Sequence, residues 1–381
     1  MAAIYLDHNA STPLAPEVLA SMRPFLEKEF GNPSSIHRIG RAARGAVDSA
    51  REDLAGTLGC QPEEIFFTSG GTESCNLAVL GAALANWPQR NEVVLSAVEH
   101  PAVFGPARLL AKHWGFRLRI CPVDAEGRVV LDRLAAAISP KTALVSIMAA
   151  NNEVGTLQPF TEVSNLCAAA DVPFHCDASQ WFGKLPLPPI GLFGAALVTV
   201  CAHKFCGPKG VGALIVRSGT KLEPILTGGS QEADRRPGTE NVAAIVGLAT
   251  AARLFIKHPM ASTPVLTPPA AKLRESLASL PGVRLWSPAD QSLPNTVAVT
   301  VAGSDSLTLL AGLDLAGVCA SSGSACSVGS LVPSHVLLAM GATREEASSL
   351  VRFSFGHDTS LDEAAAAAAA VADVIKMVGN V

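Results

Sequence analysis

Short apolar runs alternate along most of this chain with longer, Ala- and Leu-rich segments. The runs at 64–68, 92–97, 116–121, 142–148, 172–176 and 196–200 read as buried strands. Between them, helices are predicted from near Pro16, through about Leu58, after the Gly70-Gly71 pair, and over 101–113 and 131–138. Ser34 or Ser35, in the turn Gly31-Asn32-Pro33-Ser34-Ser35, is the expected N-cap of the helix that ends near Leu58. Strand–helix alternation over this length predicts a mostly parallel sheet with helices on both faces. An apolar helix is expected over 242–255. A Pro-rich stretch follows, from His258-Pro259 to Thr267-Pro268-Pro269, and reads as a hinge between domains. The last third reads as an α+β unit, with strands at 283–286, 296–301 and 351–355 and helices at 306–315 and 361–377. The seven consecutive alanines in the final helix read as a close-packed face.

At 381 residues the chain exceeds one typical domain, which agrees with that hinge. Charged residues make up 16% and apolar residues 49%, a compact composition rather than a disordered one. The net charge is −4 with no dense Lys/Arg run, so neither a nucleic-acid nor an anionic-membrane surface is supported. No run of about 18 apolar residues predicts a spanning helix, and the first residues lack the pattern of a signal peptide. Nine scattered cysteines without a C-x-x-C pair argue against a disulfide framework or a zinc ribbon. A reducing cytoplasm is expected.

Chemistry-bearing residues gather where the strands end. Glu99-His100, Asn151-Asn152-Glu153, Asp177-Ala178-Ser179-Gln180 and His203-Lys204 each follow an apolar run, and ligands of parallel sheets bind beyond such carboxyl ends. The turn Ser69-Gly70-Gly71-Thr72 opens a helix, and is either a tight capped turn or a phosphate cradle of backbone N–H groups. Arg235-Arg236-Pro237-Gly238-Thr239 is either a solvated connection or an anion-binding loop. His8 and His37 read as loop or cap residues. Cys326, within Ser321-Ser322-Gly323-Ser324-Ala325-Cys326, is either an incidental surface cysteine or a thiol presented to a ligand.

Taken as one site, these residues meet the needs of pyridoxal phosphate. A strand-end lysine in apolar surroundings has a lowered pKa, so Lys204 can form an imine. Asp177 can hold a protonated heterocyclic nitrogen, Gln180 can donate to a phenolic oxygen, and His100 can stack on the ring. Gly71, Thr72 and His203 can hold a phosphate. Arg352 and Asn152 can grip a carboxylate, and Cys326 adds a nucleophile.

Essentially the whole chain resembles the class I, NifS/IscS-like cysteine desulfurases of the class-V aminotransferase family. The resemblance is carried by Tyr5-Leu6-Asp7-His8-Asn9-Ala10, Gly31-Asn32-Pro33-Ser34-Ser35-Ile36-His37 and Thr68-Ser69-Gly70-Gly71-Thr72-Glu73-Ser74. It continues through Asn151-Asn152-Glu153-Val154-Gly155, the Asp177, Lys204 and Cys326 segments, and Val351-Arg352-Phe353-Ser354. It implies the fold of fold-type I pyridoxal phosphate enzymes. There a large domain with a mostly parallel seven-stranded sheet between helices (15–258) joins a smaller α+β domain (1–14 and 259–381). The implied reaction converts L-cysteine to L-alanine, with sulfur passing as a persulfide on Cys326 to an acceptor protein such as an iron–sulfur scaffold, for iron–sulfur cluster assembly or tRNA thiolation. A homodimer is implied as well, with Thr239 matching a threonine that contacts the neighbouring subunit's phosphate.

Two residues depart from the family pattern. Cys201 stands where a phosphate-binding serine is usual, and a thiol is the weaker donor. Cys75 replaces a common Asp, with no catalytic consequence expected. The C-terminal segment is short for the family, which leaves the acceptor open. The alternatives are a selenocysteine lyase or another lyase or aminotransferase-like enzyme of this fold, from which the Cys326 loop distinguishes it. A cofactor-free scaffold would have no use for Lys204, Asp177 and Gln180.

Overall fold

Six of the apolar runs pair into one sheet, completed by a seventh strand that the pattern did not reveal. The computed structural model describes residues 3–188, 191–256, 266–323 and 332–378. The N-terminal segment forms β1 (Ile4–Tyr5), α1 (Pro16–Glu27) and α2 (Arg38–Leu58). The sheet region follows as β2 (Ile65–Thr68), α3 (Gly71–Leu84), β3 (Glu92–Ser96), α4 (Pro101–Trp114), β4 (Arg117–Cys121) and α5 (Leu131–Ala137). It continues with β5 (Thr142–Ser146), α6 (Phe160–Ala169), β6 (Phe174–Asp177), β7 (Leu197–Cys201) and β8 (Gly212–Val216), and α7 (Val242–Phe255) packs back on it.

The strand order is β2-β8-β7-β6-β5-β3-β4. Only β8 runs against the rest, antiparallel to both β2 and β7. Most strands are buried throughout and therefore read as continuous apolar runs. The edge strand β4 differs: its Arg117 and Arg119 reach out to Glu92, and such charges blunt an open edge. Alternate residues serve two cores. Val198, Val200 and Ile215 join α2 and α7 on one face, whereas Leu197, Leu214 and Val216 join α3 and α4 on the other. From β3 the chain moves outward to β4, and from β5 it moves the opposite way to β6 and β7. The β3/β5 boundary is therefore the switch point at which a ligand crevice opens.

Beyond α7 lie α8 (Thr267–Ala278), β9 (Val283–Leu285), β10 (Thr296–Val301), α9 (Ser306–Leu315) and β11 (Val318–Cys319). The chain ends with α10 (His335–Ala339), α11 (Arg344–Ser348), β12 (Val351–Ser354) and α12 (Leu361–Val378). β9, β10 and β12 form an antiparallel sheet in the order β12-β10-β9. The alanine run of α12 buries Ala364, Ala367 and Ala368 and exposes Ala365 and Ala366, which is one helical face. A Cβ added to Gly312 of α9 would stand 2.8 Å from Val374, so the glycine allows α9 and α12 to approach closely. The N-terminus runs beside this unit: β1 pairs in parallel with β11, and Asp7 bridges Ser354.

Two local expectations change. The N-cap of α2 is His37, whose Nδ1 accepts from Gly40 N at 3.2 Å, rather than Ser34 or Ser35. Asn32 holds the preceding turn by accepting from Ser34 N, so the helix starts later. Thr267-Pro268-Pro269 opens α8 instead of extending the hinge, because a proline in a first turn forfeits only an N–H that has no partner there. Residues 258–264 lie outside the described residues. Among those described, no helix is long and apolar enough to cross a membrane.

Candidate active site

The carboxyl ends of β3, β5, β6 and β7 and the turn between β2 and α3 deliver side chains to one cavity of about 280 Å³. Gly71, Thr72, His100, Asn152 and Asp177 line it, as do Gln180, Cys201, His203, Lys204 and Arg352. Thr239 is exposed and outside the lining, and Cys326 lies outside the described residues.

Lys204 follows β7 after a single helical turn, and its Nζ donates to the carbonyls of Asn9 (2.7 Å) and Ala10 (3.0 Å). Burial pulls its pKa below the ordinary lysine value, because the charged form loses water. At the N-terminus of α3, a Cβ on Gly71 would stand 3.1 Å from Ser179 Oγ and 3.4 Å from Cys201 Cβ. Glycine there leaves room for Ser179 and Cys201 beside the first turn, where backbone N–H groups lack helical partners. The Cys201 Sγ lies 3.2 Å from His203 Nδ1. Burial pushes the thiol pKa up and lowers that of His203 to about 4, so both are uncharged at neutral pH.

Asp177, at the end of β6, accepts from Ser179 N at 3.0 Å through Oδ1. Its Oδ2 faces Cys75 Sγ at 3.6 Å. Cys75 is therefore in contact with the central carboxylate of the site, a contact its place on α3 did not reveal. Behind it, His175 bonds Ser146 (2.8 Å) and Thr199 (3.0 Å), and burial lowers its pKa to about 4. His100 caps α4, with Nδ1 accepting from Ala102 N at 3.1 Å. The proton of the neutral ring is thereby assigned to Nε2, and burial keeps the ring neutral. Asn151 spends its side chain on the turn, accepting from Glu153 N and Val154 N, and leaves Asn152 to the cavity.

Arg352 of β12 is 2% exposed. Its guanidinium bonds Asn152 O (2.9 Å) and Asp7 Oδ1 (2.6 Å), while its Nε has no partner among the described residues. The donor set suits a phosphorylated pyridine aldehyde: hydroxyls and helix N–H groups at one end, Asp177 and Lys204 at the core, and Arg352 toward a carboxylate.

An aminotransferase class-V family profile matches residues 4–366. The chain belongs to that family, among its cysteine desulfurases. It is 44% identical over 361 residues to the cysteine desulfurase IscS of Dictyoglomus turgidum, covering 94% of this chain and 91% of that one. With the corresponding protein of Methanosarcina thermophila it shares 39% identity over 378 residues, covering 99% and 93%. Among solved structures, a NifS-like protein superposes with a TM-score of 0.92 at 34% identity, covering 99% and 100% of the two chains. SspA in complex with cysteine superposes at 0.80, also 34% identical, covering 92% of this chain and 98% of that one.

Several residues around this desulfurase-type cavity escaped the sequence reading. Asn9 lines it and receives Lys204, but looked like part of a polar turn. His335 lines it too, its Nε2 set 3.0 Å from Glu99 O. Glu99, which the strand-end pattern did single out, is fully buried, with Oε1 accepting from Ser96 Oγ (2.6 Å) and Met148 N (2.9 Å), and burial pushes its pKa up to about 8. The one available signal for Lys184 was a lysine set among the apolar residues Trp181, Phe182 and Leu185. The Arg235-Arg236 loop is tied to its own chain: Arg236 bonds Glu73 at 2.8 Å and Arg235 lies over Phe66.

Proposed function

We propose that this cavity removes sulfur from L-cysteine and leaves L-alanine, with pyridoxal 5'-phosphate held at Lys204 and sulfur received by Cys326. The observation that carries the reading is the convergence on one cavity of a buried lysine of lowered pKa, the Asp177 carboxylate and the Gly71 cradle. The cysteine bound by a solved relative supports the substrate.

When bound, pyridoxal phosphate supplies an electron sink for the pair released at the substrate Cα. Lys204, whose pKa burial lowers, would hold it and would take up the substrate Cα proton. Asp177 would keep the ring nitrogen protonated, and Gln180 would donate to the ring oxygen. Gly71, Thr72, Cys201 and His203 bind the phosphate at the N-terminus of α3. His100 would stack on the ring and holds a proton at Nε2. Arg352 and Asn152 orient the substrate carboxylate, Arg352 with its unpartnered Nε. The Cys326 thiolate then attacks the substrate sulfur. An S–S bond forms as the C–S bond breaks, Cβ takes a proton, and Lys204 returns a proton to Cα to complete alanine.

The persulfide passes to an acceptor protein, such as an iron–sulfur scaffold, serving cluster assembly or tRNA thiolation in the cytoplasm. The exposed Thr239 reaches the phosphate site of a second copy, making the working unit a homodimer. The division into 15–258 and 1–14 with 259–381 is supported by the pairing of β1 with β11. The test is spectroscopic and chemical. The purified protein is expected to absorb near about 420 nm, and Lys204→Ala to lose that band. Cys326→Ser should keep the band and release neither persulfide nor sulfide from cysteine. Sulfur release that survives in Cys326→Ser would overturn the role of that cysteine.

A further inference from the structure

Lys184 is 1% exposed, does not line the cavity, and takes part in none of the steps above. Its Nζ donates to Asn9 Oδ1 at 2.7 Å and to Gln180 Oε1. An ammonium offers only donors, and the uncharged amine still has two N–H groups to give, an arrangement that the two amide oxygens turned toward it satisfy in full. Their NH2 ends then point elsewhere. Asn9 Nδ2 donates to Thr296 Oγ1 at 2.9 Å, and Gln180 Nε2 donates to Asn9 O at 2.9 Å. The same carbonyl receives Lys204 Nζ at 2.7 Å. Lys184, Gln180, Asn9 and Lys204 thus form one connected set in which a reversed Gln180 amide would set donors against donors. The charges acting on Lys184 are those of Lys204 and Arg352, with His8 nearby.

We propose that Lys184 is a positioning residue that locks the Gln180 amide with Nε2 on the cavity side, where the N–H not given to Asn9 O would donate to the ring oxygen of the cofactor. The proposal rests on the pyridoxal phosphate reading. It predicts that Lys184 acts through Gln180 rather than through its charge.

The test follows the pH midpoint of the cofactor's visible band in the substrate-free holoenzyme, for Lys184→Met, Gln180→Ala and the double variant. Losing a donor on the ring oxygen strengthens the neighbouring base. Each single variant should therefore raise the midpoint by about one pH unit, the size of a lost hydrogen bond to a charged group. The double variant should rise no further. Lys184→Gln removes the charge but keeps a donor, and should stay within about 0.3 unit of wild type. It decides the question if Lys184→Met does not fold. Additive shifts, an unmoved Lys184→Met, or a Lys184→Gln that moves as far as Gln180→Ala would each overturn the proposal. A wild-type protein without the band overturns the cofactor reading instead.

Discussion

The Sγ of Cys75 lies 3.6 Å from Oδ2 of Asp177 and 3.6 Å from Oγ1 of Thr199. The helix whose first turn lines the cavity with Gly71 and Thr72 therefore also touches the central Asp177 carboxylate. Burial and the Asp177 charge hold the thiol pKa far above its ordinary value, so it stays a donor, though a weak one. Cys75→Val keeps the volume and removes the donor. We expect the cofactor dissociation constant to rise about five-fold, with kcat within about two-fold of wild type. Asp177→Asn should instead lower kcat by more than about 100-fold, because the charge opposite the ring nitrogen is gone. Cofactor titration with steady-state kinetics separates the two, and equal losses of kcat would count against a mere contact role for Cys75.

Arg352 is buried and its only carboxylate partner among the described residues is Asp7. Asp7→Asn leaves a buried guanidinium without a countercharge, and should cost about 3–5 kcal/mol in urea unfolding. Arg352→Lys keeps the charge but loses the planar fork. KM for cysteine should rise at least about ten-fold, with a smaller change in kcat. An unchanged KM would remove Arg352 from carboxylate binding.

Glu99 makes stability depend on pH in an unusual direction. Its folded pKa of about 8 stands above the ordinary 4.5, so between those values the folded chain holds a proton that the unfolded chain has released. Stability from this group is complete below about pH 4.5 and is lost as pH rises toward 8. Glu99→Gln should flatten that decline and be more stable than wild type at alkaline pH by a few kcal/mol, on the order set by the shift. Urea unfolding at acid, neutral and alkaline pH provides the check. Parallel curves for the two proteins would mean that Glu99 ionises normally.

Cys201 sets a weak donor beside Gly71 and His203. Cys201→Ser exchanges it for a hydroxyl of similar reach and should tighten cofactor binding by about three- to ten-fold, the worth of one improved hydrogen bond. The rate of cofactor loss on dilution measures it. Weaker binding in the serine variant would show that the thiol does not face the phosphate.

The limits of α7, β10 and α9 are legible residue by residue in the apolar pattern. Those segments are bounded by sharp polar turns and buried on continuous faces. β8 was missed because a short run after Pro208-Lys209-Gly210 resembles the tail of a loop. Lys204, Asp177 and His100 stood out because each polar residue interrupts the chain just where a buried strand stops. Asn9 and His335 did not, since nothing local distinguishes them from turn residues, and Lys184 was marked only by its apolar neighbours.

Strand or helix, the parallel character of the sheet and the chemical types at the strand ends were determined by the sequence alone, because burial periodicity and turn residues act over a few neighbours. The tertiary structure decided how those groups are held. Asn9 meets Lys204 across 195 positions and Arg352 meets Asp7 across 345. Cys75 reaches Asp177 across 102. The first two pairs exist only once the N-terminal segment is set beside β11 and β12, and the third only once α3 packs against β6, for a hydrogen bond needs its atoms close together, and no local pattern specifies that closure.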